Sequence, residues 1–214
     1  MTNVLVVYYS ATGNTAAMAH ALAAGAESVG ASVRVRRVAE TAPRSAVDAN
    51  PRWRAYLESV TDDLADLTDL GWADGIALGS PTRFGGAASQ LKGFLDTTGP
   101  MWMRGELIDK VGTSFTSAST AHGGLESTIL AMNNVLYHWG SLVMPLGYLD
   151  RHITKLTGNP YGASWVSRSG SAPDDDCLLA ARMQGARLAR CAGALASSSP
   201  AHSSEAMSPL GATS

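Results

Sequence analysis

The stretch Val4-Leu5-Val6-Val7-Tyr8-Tyr9-Ser10-Ala11-Thr12-Gly13-Asn14-Thr15 runs an apolar segment directly into a short loop of hydroxyl residues and one glycine. A continuous apolar run of this length bounded by turn residues predicts a strand covered on both faces. A helix is expected to open just beyond it, near Ala16. Such a junction suits a phosphate, because the start of a helix offers unpaired backbone N–H groups and the positive end of the macrodipole. Gly13 permits the tight turn, and Ser10, Thr12 and Thr15 carry hydroxyls for phosphate oxygens. No Lys stands at the Walker position, which argues against Mg-nucleotide hydrolysis. The three-glycine dinucleotide spacing is also missing, which argues against a tightly held pyrophosphate. A phosphomonoester remains, with FMN the leading candidate. Taken alone, the loop also reads as an ordinary Ser/Thr cap after a strand.

Strand and helix patterns alternate outward from this junction. Strands are expected at 4–9, 32–38, 74–79, 111–117 and 141–145, and helices at 15–29, 53–67, 88–98, 125–139 and 176–196. Gly25 and Gly30 read as the end of the first helix, and the acidic run Asp174-Asp175-Asp176 as the start of the last. This alternation predicts an α/β fold: a doubly wound, five-stranded parallel sheet in the flavodoxin-like order 2-1-3-4-5, with helices on both faces. One domain is expected over 1–196. The Ser-, Ala- and Pro-rich residues 197–214 read as a disordered tail.

Composition narrows the partners. The 214 residues are 45 % hydrophobic and 16 % charged, with a net charge of −2, which argues against nucleic acid or an anionic membrane. No apolar run reaches the roughly 20 residues needed to span a bilayer. The N-terminus enters a strand almost at once and leaves no room for a signal peptide, so a cytoplasmic location is expected. Cys177 and Cys191 fall on one expected helix, about 20 Å apart at 1.5 Å per residue, and read as buried small hydrophobes.

In such a sheet, ligands sit beyond the carboxyl ends of the strands, at the switch point beside strand one. Three loops are expected to converge there: 10–15, 80–86 and 117–124. All are rich in Gly, Ser and Thr, hold no carboxylate, and include a single Arg. That chemistry fits a cofactor held by backbone and hydroxyl groups better than it fits hydrolysis. The histidines show no metal spacing, and no Gly-x-Ser-x-Gly elbow is present.

Further along, Gly79-Ser80-Pro81-Thr82-Arg83-Phe84-Gly85-Gly86 is followed by Gln90-Leu91-Lys92-Gly93-Phe94-Leu95-Asp96 and by Gly99-Pro100-Met101-Trp102. With Ser127-Thr128-Ile129, His138-Trp139-Gly140, Pro145-Leu146-Gly147-Tyr148 and Gly158-Asn159-Pro160-Tyr161-Gly162-Ala163, these motifs resemble the WrbA-type NAD(P)H:quinone oxidoreductases, flavodoxin-fold enzymes that bind FMN. The resemblance spans about residues 3–196, more loosely from 43 to 70. It implies that Ser10, Ala11, Thr12, Gly13, Asn14 and Thr15 hold the FMN phosphate. Pro81, Thr82, Arg83, Phe84 and Gly85 would lie along the isoalloxazine edge, and Ser117, Ala118, Ser119, Thr120, Ala121 and His122 would form a third flavin loop. His138 and Trp102 match positions lining the ring pocket, which in the family is completed across a subunit interface of a homotetramer. Thr12 and Trp102 would face the nicotinamide or quinone.

Three positions depart from the usual family pattern: Thr12 replaces a frequent aromatic, the loop at 117–124 carries fewer glycines, and Trp139 stands where a second His is common. The implied activity is two-electron reduction of quinones by NAD(P)H, without an assigned side-chain acid or base. The alternative is a flavodoxin-like single-electron carrier, a class usually strongly acidic, which the charge of −2 disfavours.

Overall fold

A computed structural model describes residues 1–198. The chain runs through β1 (Asn3–Tyr8), α1 (Asn14–Glu27), β2 (Ser32–Arg37), α2 (Arg44–Asp48), α3 (Pro51–Ser59) and α4 (Leu67–Trp72). It continues through β3 (Gly75–Arg83), β4 (Gly86–Ala87), α5 (Ser89–Asp96), α6 (Gly99–Met103), β5 (Val111–Ala118) and α7 (Leu125–Trp139). It ends with β6 (Leu142–Val143), α8 (Arg151–Thr157), β7 (Ser164–Val166) and α9 (Asp175–Ser198). The sheet order is β2-β1-β3-β5-β6, all parallel, which is the expected 2-1-3-4-5 order of the five segments. Two short strands add to it. β4 folds back antiparallel on β3, and β7 pairs with β5 at Thr116–Ala118, beyond the reach of β6 at Val111 and Gly112.

β1 shows why the sheet is covered on both sides. Val4 through Tyr8 are fully buried, and they alternate between two cores as the two-residue period of a strand requires. Val4, Val6 and Tyr8 join Met18 and Leu22 of α1 and Leu188 of α9. Leu5, Val7 and the following Tyr9 join Leu91 of α5, Met101 of α6, and Met132 and Leu136 of α7. β1 therefore ends buried on all sides, with its loop delivered to one edge of the molecule.

Several expected boundaries change. The helix expected at 53–67 ends at Ser59 as α3, and a separate helix, α4, begins only at Leu67. Between them Leu64 bridges in parallel to Arg37, and Asp66 then opens α4 with a capping box closed by Asp69. Asp69 is buried and also takes Arg34 at 3.1 Å and Arg36 at 3.1 Å, which locks α4 to the edge strand β2. Gly25 does not end α1 but lies within it, against α9. The strand expected at 141–145 shrinks to Leu142–Val143, and β3 extends past 79 to Arg83. Cys177 is a core residue of α9; burial, with Asp174 nearby, pushes its thiol up to about 12, while Cys191 is only partly buried. Of the tail expected from 197, Ser197 and Ser198 complete α9 and the rest lies outside the described residues. No helix of the described chain is long and apolar enough to cross a membrane.

Candidate functional site

The first loop is built to present donors. Gly13 sits in the left-handed region at φ 94°, and its N–H donates to Ser10 Oγ at 3.0 Å, which closes the turn. The first intrahelical acceptor is the Gly13 carbonyl, taken by Ala17 N–H at 2.9 Å. Among the described residues nothing accepts from the N–H groups of Asn14, Thr15 or Ala16, and no side chain caps α1. No carboxylate lies in the first turn of the helix. A phosphate placed there meets free N–H groups and the positive end of a 14-residue helix.

The other two loops lie alongside. Thr15 Oγ1 and Ser117 Oγ are 3.1 Å apart and buried, joining the first loop to the end of β5. Phe84 and Gly85 form the two-residue tip of the β3–β4 hairpin, with φ of 52° and 79°. A two-residue tip with both φ positive is the turn that matches strand twist. The cost of placing a bulky residue there is of order 1–3 kcal/mol, and the result is a phenyl ring held fully out in solvent at the loop tip. Gly124 takes φ 90° at the start of α7, and a Cβ on it would stand 2.9 Å from the Gly85 Cα, so the second and third loops touch through two glycines. Thr82 Oγ1 donates to the Gly123 carbonyl at 3.2 Å and accepts from Thr128 Oγ1 at 2.7 Å. That hydroxyl is therefore committed to holding the loops together, and what the second loop offers a ligand is its backbone. Arg83 donates to its neighbour's carbonyl, Thr82 O, at 2.9 Å and has no ion-pair partner among the described residues. Ser119, Thr120, Ala121 and His122 are exposed on the third loop.

Two residues stand elsewhere. His138 is exposed in the last turn of α7, whose N-terminus adjoins the loops; the helix carries it about 20 Å away. Trp102 is at that same far end. Its N–H donates to Thr98 O, and Thr98 Oγ1 accepts from the indole of Trp139, the neighbour of His138. One chain does not bring His138 or Trp102 to the loops.

The structure adds residues that motif reading missed. Glu40, just past β2, accepts from Tyr9 Oη at 2.8 Å, Trp53 Nε1 at 2.9 Å, Gln90 Nε2 at 2.6 Å and Ala42 N–H at 2.8 Å. It thus ties α3 and α5 to the residue that immediately precedes the first loop. Half-burial pushes its carboxyl up, but the four donors outweigh this and hold it below the ordinary 4.5. A carboxylate with a lowered pKa gives stability that is complete above about pH 4.5, its unfolded value, and is lost as the pH falls through the lower folded value. Glu40→Gln is expected to cost about 1–2 kcal/mol at neutral pH, allowing for partial exposure. Thermal melts of both proteins from about pH 6 to pH 3 check this: the gap should narrow as the wild type loses its carboxylate. A gap that stays constant across the range would refute the role.

The donor set fits a flavin mononucleotide. The N–H groups at the start of α1 are unpaired among the described residues, and loops 10–15, 80–86 and 117–124 contain no carboxylate to repel an anion.

Comparison with known proteins agrees in kind. The model of the family described as NADPH-dependent FMN reductase matches residues 2–153. A protein of Deinococcus radiodurans named NAD(P)H dehydrogenase (quinone) is 44 % identical over 172 residues, covering 80 % of this chain and 86 % of its own. One of Sinorhizobium fredii with the same name is 43 % identical over 202 residues, covering 92 % of this chain and all of its own. Among solved structures, a WrbA-like flavodoxin from Agrobacterium tumefaciens superposes with a TM-score of 0.65 at 27 % identity, covering 91 % of this chain and 99 % of its own. An archaeal flavodoxin, at TM-score 0.59 and 22 % identity over 90 % of this chain and 99 % of its own, shares the fold.

Proposed function

The chain belongs to the NADPH-dependent FMN reductase family, and from that premise we propose that it is an FMN-dependent NAD(P)H dehydrogenase acting on quinones. The observation that carries this reading is the uncapped start of α1, with its free N–H groups, set beside two carboxylate-free loops. When bound, FMN would supply two-electron redox chemistry between NAD(P)H and a quinone, a hydride passing by way of flavin N5 in a ping-pong cycle. The quinone gains two electrons and two protons, one of them from solvent, and leaves as a hydroquinone.

The chain's own residues bind and orient. Ser10 through Thr15 hold the phosphate, and the hydroxyl pair Thr15–Ser117 fixes the end of β5 against that loop. The hairpin from Pro81 to Gly85 would hold the ring edge with its backbone donors, which favour the negative charge of a reduced flavin. Phe84, exposed at the hairpin tip with a positive φ, would flank the flavin ring where nicotinamide and quinone alternate. Trp102 and His138 reach the ring only from another subunit, so the complete site belongs to an assembly, taken here as a homotetramer.

The test is an oxygen-free titration of the FMN-loaded protein. The yellow absorbance should bleach on adding NADPH or NADH and return on adding benzoquinone. Yellow that persists with both nucleotides would favour a carrier that needs a protein donor. Failure to take up FMN at all would sink the reading.

A further inference from the structure

We propose that Arg52 and the segment 167–171 form a latch over the phosphate position, and that this latch makes the chain select a flavin bearing the 5′-phosphate over the same flavin without it. The inference rests on the FMN site proposed above and deepens it.

The first loop, 10–15, contains no cation. A helix N-terminus offers roughly half an elementary charge, whereas a phosphomonoester carries about −1.5 to −2. A site that distinguishes the phosphorylated flavin needs a further positive group. Arg52 is placed to be that group. It leaves the first turn of α3, a start fixed by Pro51 and by Asn50, whose side chain accepts from the N–H groups of Arg52 and Trp53 at 3.1 and 3.3 Å. One turn later Tyr56 lies against Gly13, where a Cβ would stand 3.4 Å from its ring. The same face of α3 therefore borders the turn of the phosphate loop.

From there the Arg52 guanidinium reaches the Gly170 carbonyl. The next carbonyl, Ser171 O, accepts from the side chain of Asn14, the first residue of α1, at 3.1 Å, and from Trp165 Nε1 at 3.0 Å. The other end of the segment is tied by Ser167, whose N–H and hydroxyl both donate to Ala118 O, at 2.7 and 3.2 Å. The segment thus straps the end of β5 to the start of α1, and Arg52 grips it one peptide away from Asn14. A guanidinium has five donors. The hydrogen bonds and ion pairs of the described residues give this one only a neutral carbonyl and no carboxylate. Its charge is uncompensated beside the point where an anion is expected.

The test compares two ligands that differ only in the phosphate. Apo-protein is titrated with FMN and with riboflavin, following flavin fluorescence, for wild type, Arg52→Met and Arg52→Lys. Arg52→Met should weaken FMN roughly 10- to 100-fold and leave riboflavin unchanged. Arg52→Lys, which keeps the charge but not the fork, should fall between. Added salt should erode FMN affinity in the wild type more steeply than in Arg52→Met. Unchanged FMN affinity in Arg52→Met would overturn the inference alone, as would equal losses for FMN and riboflavin, which would make Arg52 a structural brace. A wild type that does not prefer FMN to riboflavin would overturn both the latch and the phosphate site beneath it.

Discussion

Gly185→Ala is expected to destabilise the protein by about 3 kcal/mol or more, through overpacking and a disrupted buried hydrogen-bond network. The new Cβ would stand 1.9 Å from the carbonyl oxygen of Leu22 in α1. Across the same contact, a Cβ on Gly25 would stand 1.9 Å from the carbonyl oxygen of Arg182 in α9. Two glycines thus let α1 and α9 approach backbone to backbone, and no side-chain rotation relieves a clash with a main-chain carbonyl. The helices must separate. Separation also strains Gln184, the residue next to Gly185, which is fully buried. Its side chain donates to Thr113 Oγ1 at 2.6 Å and Ser114 O at 3.0 Å, and accepts from Ala163 N–H at 2.7 Å. For a chain of this size a 3 kcal/mol loss corresponds to a fall in melting temperature of about 6–12 °C. Gly93→Ala in α5 is the control, because nothing lies within 4 Å of its would-be Cβ. It should be neutral or stabilising by up to about 1 kcal/mol. If Gly185→Ala melted with Gly93→Ala, the close helix contact would be wrong. Because α9 supports the helix whose first turn is proposed to receive the phosphate, the same substitution should also weaken FMN uptake.

That contact marks where the sequence stops being legible. Gly25 reads as a helix end because a helical glycine costs stability and usually signals a terminus. Its real cause, a second helix more than 150 residues further along the chain, leaves no local trace. Elements specified by their own residues are readable. α7 runs from Leu125 to Trp139 as its apolar period indicates, and β1 follows from its apolar run. The region from 53 to 72 goes wrong because a polar helix pattern continues through residues that a remote partner, Arg37, draws into an extended bridge. The restart at Asp66 was available as a capping-box signal three residues before Asp69. For the site, the three loops are legible from composition and topology. Glu40, Arg52 and the segment 167–171 are not, since each matters only through partners 40 to 160 residues away or scattered over several elements. β7 was missed for a related reason: three residues, Ser164–Val166, are too few to show a period.

Trp102→Ala is expected to slow quinone turnover by about 5- to 150-fold, the equivalent of the 1–3 kcal/mol that an aromatic stacking contact carries, while the same chain keeps its affinity for the FMN phosphate. The separation of these two effects follows from geometry. The proposed phosphate loop lies within one chain, whereas Trp102 and His138 lie together at the far end of α7. That end exposes Trp102 at 53 %, Met103 at 80 % and Tyr137 at 60 %, apolar surface that assembly would cover. The decisive measurement is complementation. Gly13→Val places a β-branched residue at φ 94° and against Tyr56, so this chain should fail to bind FMN while retaining an intact Trp102. Coexpressed with Trp102→Ala and purified through two different tags, mixed assemblies should contain sites that pair an intact loop from one chain with an intact Trp102 from the other. Their activity should exceed that of either variant alone and recover up to about half of what Trp102→Ala loses, since sites built on the Gly13→Val loop stay empty. Mixed assemblies no more active than Trp102→Ala alone would show that Trp102 serves only its own chain. A protein that stays monomeric with full activity would remove the need for a partner's residue altogether. Recovery would instead place the ring pocket between subunits, and would explain why a single chain carries a finished phosphate site and an unfinished wall.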